Sequence, residues 1–154
     1  MNDFIGITDN RLLHMRGVAH RAYEISRNVF CWSEDKCRSM FVLGFIHDIG
    51  YEYSEDQTDH ENIGGDMLYQ SEYAYWREIY EHGNPDTNYD TEELFVLNLA
   101  DMQIDSAGRR VTVEERLSDI ATRYGDTSTQ YTQAQKMVDR LCNFCAERRI
   151  VFPA

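Results

Sequence analysis

The chain has 154 residues, the length of one domain, and 42% of them are hydrophobic, which is enough for a stable core. It carries 15 lysines and arginines against 27 acidic residues, and this net charge of −12 argues against a protein that binds long nucleic acids. We expect a cytoplasmic protein without membrane contact, because no apolar run approaches the ~20 residues of a membrane span and no secretion signal is recognisable.

Apolar residues at helical spacing predict an all-α bundle of about six to seven helices in a single domain over residues 1–154. The predicted helices cover, in chain order, about Asp9–Val29, Ser33–Gly50, Asp59–Gln70, Tyr73–His82, Asp90 to beyond Asp101, Thr112–Gly125 and Thr129–Arg148. The last of these is expected to pack on the rest. An acidic loop, residues 52–59, separates the second helix from the third.

Two details of this prediction concern local geometry. Gly64 and Gly65 weaken the third helix, so we expect another backbone or a ligand to approach it closely there. Asp101 follows the apolar run of the fifth helix and is predicted to lie in its buried middle. Arg109 and Arg110 are predicted to lie at the end of the same helix.

Ionisable side chains interrupt the apolar faces of five predicted helices. The six residues in this pattern are His14, His47, Asp48, His60, His82 and Asp101. A buried carboxylate or imidazole is costly unless it is paired or bound to a metal, and few buried cations are available to pair with all six. His20 lies on a polar face, beside Arg16 and Glu24, and serves as a control.

These residue types suit divalent iron, manganese, cobalt, nickel or zinc. A complete site for one ion is provided by His14, His47, Asp48 and Asp101. His60 and His82 are the additional ligands that a second ion would need. Because Asp48 adjoins His47 and faces the same groove, its carboxylate can bridge two ions. We therefore predict one or two divalent transition-metal ions.

Three segments in this order resemble the HD superfamily of metal-dependent phosphohydrolases: residues 13–19, residues 43–51 with the sequence LGFIHDIGY, and Ala100–Asp101. Residues 59–65 and 80–83 are similar to the two additional histidine motifs of its dinuclear members. The resemblance covers about residues 9–124. Within the superfamily, the histidine pattern is most similar to bacterial hydrolases of dinucleoside polyphosphates.

The resemblance implies hydrolysis of a phosphoester or phosphoanhydride in a nucleotide-like small molecule by a metal-bound water. It implies a first ion held by His14, His47, Asp48 and Asp101, and a second held by His60, His82 and the bridging Asp48. Asp48 is the candidate catalytic residue, because it can orient or deprotonate that water.

Three arginines are candidates for binding the substrate phosphate: Arg16, Arg109 and Arg110. The alternative for Arg109 and Arg110 is a solvated pair at a helix C-terminus. Tyr51 stands where many relatives have a lysine, which leaves an assisting cation at that position in doubt.

Other functions stay open at this point. Some HD-fold proteins hold two irons and oxidise carbon–hydrogen bonds, and a nucleotide-sensing module without catalysis is a third option. The native metal and the oligomeric state are not determined by the sequence, although a homodimer is one option. A zinc site of four thiolates, from Cys31, Cys37, Cys142 and Cys145, is a weaker alternative to ordinary core cysteines.

Overall fold

The structure is a computed structural model that describes residues 2–55 and 59–154. It contains α1 (Asp9–Asn28), α2 (Glu34–Ile46), a short 3-10 helix (Ile49–Glu52), α3 (His60–Gln70), α4 (Trp76–Glu81), α5 (Glu92–Met102), α6 (Val113–Tyr124) and α7 (Thr129–Arg148). Strand-like pairing within these described residues is limited to one isolated bridge, between Ile104 and Arg110. The predicted all-α bundle is confirmed. The middle of the predicted acidic loop, residues 56–58, lies outside the described residues.

Local sequence signals account for where most helices begin. A hydroxyl side chain at the N-cap accepts a hydrogen bond from a backbone N–H of the first turn in five of the described helices. These N-cap residues are Thr8, Ser33, Thr91, Thr112 and Ser128. Such a cap typically stabilises a helix by about 1 kcal/mol. The predicted capping box at Thr112 and Glu115 is present.

Helix α5 forms the centre of the bundle. Every residue from Leu94 to Ala100 is at most 3% exposed, and α5 packs against α1, α2, α4 and α7. The last helix, α7, also packs on α6. None of the helices in the described ranges is both long enough and apolar enough to cross a membrane.

The predicted close approach at Gly64 and Gly65 is confirmed, and the approaching groups are backbone. A Cβ atom on Gly65 would lie 2.7 Å from the Cα of Tyr80 in α4. A Cβ atom on Gly50 would lie only 1.7 Å from the carbonyl oxygen of His60 and 2.9 Å from the nitrogen of Gly64. The 3-10 helix therefore contacts the start of α3 directly, which places His60 close to Asp48, the residue just before the 3-10 helix.

Two predictions about α5 were wrong. Asp101 is the penultimate residue of this helix and is not in its buried middle, because α5 ends at Met102. Arg109 closes a turn in which the Asp105 N–H donates to the Arg109 carbonyl, and Arg110 follows it, so neither lies at a helix end. Directly after α5, the buried Gln103 side chain accepts a hydrogen bond from Arg21 and donates one to the Pro153 carbonyl.

Candidate metal centre

Six ionisable side chains meet at one end of α5. They are His14 of α1, His47 and Asp48 directly after α2, His60 at the start of α3, His82 directly after α4, and Asp101 near the end of α5. All six residues predicted as metal ligands are thus brought together by five different parts of the fold. His20 lies apart from them, is exposed, and packs edge-on against Phe41.

The carboxylate of Asp48 lies between two pairs of imidazoles. Its Oδ2 atom is 3.3 Å from His47 Nε2 and 3.8 Å from His14 Nε2. Its Oδ1 atom is 3.2 Å from His60 Nε2 and 3.4 Å from His82 Nε2. Each oxygen of the buried Asp48 therefore faces a different pair of histidines, which is the arrangement that a carboxylate needs to bridge two cations.

Asp101 completes the first of these groups, since its Oδ1 atom lies 2.8 Å from His14 Nε2 and 3.6 Å from His47 Nε2. Among the described residues, two sets of three have potential ligand atoms within 4.8 Å of one another: His14, His47 and Asp101, and also His47, Asp48 and His82. His60 is outside both sets and contacts them through Asp48. The residues present can therefore hold a divalent metal ion.

The second ring nitrogen of each imidazole is held by an acceptor outside the cluster. Nδ1 of His14, His47 and His82 lies within hydrogen-bond distance of the carbonyl oxygens of Asp105, Gly44 and Ile79, respectively. Nδ1 of His60 is 2.8 Å from a carboxylate oxygen of Glu61. Because carbonyl oxygens only accept, Nδ1 donates and Nε2 is left facing the centre. Metal-binding histidines are oriented in this way.

A buried nitrogen atom without a hydrogen bond indicates that a metal ion would fit in the cluster. Nε2 of His47 is buried, and it makes no hydrogen bond to any residue in the described part of the chain. An unsatisfied buried polar atom costs about 1–3 kcal/mol, and a cation at this point would remove that cost. The donor set of imidazole and carboxylate also suits a divalent transition metal.

The charges of the cluster also favour a bound cation. Burial lowers the pKa of His47, but the negative charges of Asp48 and Asp101 outweigh it and raise this pKa to about 10. Burial likewise opposes ionisation of Asp48, yet the neighbouring His47 holds the pKa of Asp48 well below its usual range. In the absence of metal, protons on His47 and His60 therefore help to balance the carboxylates, and a bound cation would replace them.

Comparison with known proteins identifies the family. A family model described as the HD domain matches residues 11–124, about three quarters of the chain. The chain belongs to the HD domain family. Searches of curated proteins and of solved structures find no significant match. HD domains are generally metal-dependent phosphohydrolases, and the family assignment indicates metal-dependent hydrolase activity for this chain.

The metal centre of this HD domain opens into a cleft of about 220 Å³. Asp48, His60 and Asp101 belong to the candidate metal centre and line one side of the cleft. The other residues that line it are Arg11, Tyr51, Ser106, Arg116, Ile120, Arg123, Tyr124 and Gln130. A substrate that contacts the metal ligands would therefore also contact α6 and the start of α7.

Arg11 is a residue of this cleft that the sequence analysis missed. Its NH1 donates to Asp48 Oδ2 over 2.8 Å, and its guanidinium lies 4.2 Å from the centroid of the Tyr51 ring. The Tyr51 ring in turn stacks on His60 at 3.9 Å. Arg11 precedes His14 by three residues on α1, so both share one helix face, and this spacing was the available sequence signal.

The three arginines predicted to bind substrate do not line the described cleft. Arg109 is exposed and pairs with Asp105 at 3.0 Å. Arg110 pairs with Glu24 at 3.3 Å, and together with Arg16 it lines a separate groove beside α1.

The zinc alternative also fails. All four cysteines are described, and none of them belongs to a group of residues that could hold a metal.

Proposed function

We propose that this HD domain is a phosphohydrolase that uses two divalent cations to cleave a phosphoester or phosphoanhydride bond in a nucleotide-like small molecule. The observation that carries this proposal is the position of Asp48, whose two oxygens face different pairs of histidines. A second cation would be unnecessary for simple metal storage, whereas a pair of cations is well suited to phosphoryl transfer to water.

The first cation would be held by His14, His47, Asp48 and Asp101, and the second by His60, His82 and Asp48. When bound, divalent cations make a water molecule more acidic and neutralise charge on the phosphoryl oxygens. Iron, manganese, cobalt, nickel and zinc all suit these ligands.

Three side chains of this domain would have separate roles in the reaction. Asp48 is the candidate catalytic residue, because it lies at the centre of the ligand set and can orient the attacking water or accept its proton. Arg11 reaches the same carboxylate from the cleft, so its guanidinium is within reach of a phosphoryl group placed there. Tyr124, which is 53% exposed, offers an aromatic face at the cleft for a nucleobase.

The experiment begins with protein from minimal medium, for which metal per chain is measured. A panel of nucleotides and dinucleotides is then tested with manganese, cobalt or iron, following phosphate release and oxygen uptake. We expect metal-dependent phosphate release that Asp48→Asn abolishes and His20→Ala does not change. Oxygen uptake would instead indicate a di-iron oxygenase, and tight nucleotide binding without turnover would indicate a sensing module. Either result would refute the proposal.

A further inference from the structure

Arg116 is a partly buried arginine with two unused donors. Its side chain is 16% exposed, and its Nε and NH1 atoms are buried without a hydrogen bond to any residue that the structure describes. It forms an ion pair with Asp119, but Asp119 Oδ2 is 3.7 Å from NH1, which is beyond hydrogen-bond distance. That same oxygen already accepts a hydrogen bond of 2.7 Å from Arg123.

Other partly buried arginines of this domain are satisfied. Arg21 donates to Gln103 and to the Ala154 carbonyl. Arg140 donates to three backbone carbonyls of residues 85–89. Burying a charged donor without a hydrogen-bond acceptor is unfavourable, so the contrast with Arg116 favours a partner that the described residues do not provide.

The position of Arg116 indicates where this partner would lie. Arg116, Ile120 and Arg123 follow one another at spacings of four and three residues, so they form a stripe on α6 that lines the cleft of the metal centre. Arg11 lines the same cleft from α1. Three guanidinium groups and the His60 imidazole thus border a cleft that also contains two carboxylates, those of Asp48 and Asp101. Cationic groups outnumber the acidic ones in this cleft, although the chain as a whole has a net charge of −12, and this local balance favours an anion.

We propose that Arg116, assisted by Arg123, binds a phosphate group of the substrate other than the one being hydrolysed. The identity of the ligand rests on the proposed phosphohydrolase function. A planar guanidinium with two free donors matches the oxygens of a phosphate in a bidentate geometry. Rotation about the terminal torsions of the flexible side chain can turn these donors towards the cleft. The preferred substrate therefore carries at least two phosphoryl groups, and α6 selects for the second.

Binding can be measured without turnover. Inorganic pyrophosphate is titrated into chelator-treated protein by calorimetry, for the wild type and for Arg116→Gln, Arg116→Lys and Arg38→Gln. Arg38 is the matched control, because it is 71% exposed, lies on α2 and pairs with Glu34. We expect Arg116→Gln to weaken binding about tenfold or more, Arg116→Lys to weaken it less, and Arg38→Gln to leave it unchanged.

Two results would overturn the proposal. One is no pyrophosphate binding by the wild type, or equal binding by Arg116→Gln and Arg38→Gln, which would show that Arg116 does not hold the anion. The other is strong thermal destabilisation by Arg116→Gln, which would indicate a structural role; we expect an unchanged or higher Tm, since two buried donors without hydrogen bonds are removed. If pyrophosphate binding depends on Arg116 but no compound is hydrolysed, the proposed reaction fails and the anion site stands.

Discussion

Replacing Gly50 by alanine should disturb the metal centre through the backbone of α3. The new Cβ atom would lie 1.7 Å from the carbonyl oxygen of His60, whereas real contacts are no shorter than 3.0 Å, so one of the two segments must move by at least about 1.3 Å. The contact is with backbone, which no side-chain rotation relieves. This movement changes the distance between the His60 imidazole and Asp48 Oδ1, now 3.2 Å.

Overpacking of this kind costs about 1–3 kcal/mol. For a domain of this size, a loss of 2 kcal/mol lowers the Tm by roughly 4–8 °C. A misplacement near 1 Å can also reduce turnover about 100-fold. We therefore expect Gly50→Ala to melt earlier and to retain fewer metal ions per chain, as measured by calorimetry and by elemental analysis.

Gly125→Ala is the control for lost stability alone. Gly125 has φ of 95° and open space around its Cβ position, so alanine there is strained by about 1–3 kcal/mol without touching the centre. We expect a comparable fall in Tm with wild-type metal content. If Gly50→Ala binds as much metal and turns over as fast as Gly125→Ala, the argument that Gly50 positions His60 is refuted.

Three further predictions concern the ligands themselves. His47→Ala and Asp48→Ala should each reduce metal retention and turnover to background, as measured by elemental analysis and phosphate release. The control His20→Ala changes an exposed residue and should behave as wild type in both assays. Equal damage by His20→Ala would mean that the wrong helix face was chosen. His60→Ala and His82→Ala should preferentially lose one ion, and unchanged metal content would contradict a dinuclear centre. The metal-free protein should lose thermal stability as pH rises from about 6.5 to about 10. Folding raises the pKa values of His47 and His60 to about 10 and about 9, so the protonated imidazoles stabilise the folded state, and this stabilisation is lost as they deprotonate. The metal-loaded protein should decline less over that range in calorimetry, and a rise in metal-free stability would contradict the sign.

The helix boundaries were predictable wherever a local signal determines them. Ser33 and Thr112 act as N-caps through their own hydroxyl groups, and Gly125 ends α6, as the sequence indicated. The end of α5 was not predictable, because apolar spacing continues through Ile104 and no breaker intervenes. The helix stops where the Gln103 side chain meets Arg21 and the carbonyl of Pro153, and these contacts are distant in sequence.

The candidate metal ligands could be predicted from the sequence, whereas the other residues that line the cleft could not. The metal-binding pattern was visible because an ionisable residue on an apolar face is unusual in any helix. Arginines are ordinary on helix surfaces, so nothing in the sequence distinguished Arg116 as a residue of the cleft, and the sequence analysis named Arg16, Arg109 and Arg110 instead. Which of them borders the cleft depends on how α6 packs beside the centre, and helical periodicity carries no information about that packing.

Main-chain carbonyls hold Nδ1 of His14, His47 and His82. A carbonyl oxygen remains at each of these sites whatever amino acid supplies it, so the orientation of three imidazoles is insulated from most substitutions nearby. Substitutions in α6, which lines the cleft, would then leave these imidazoles in place. This separation would let a single scaffold diverge towards new substrates by small steps.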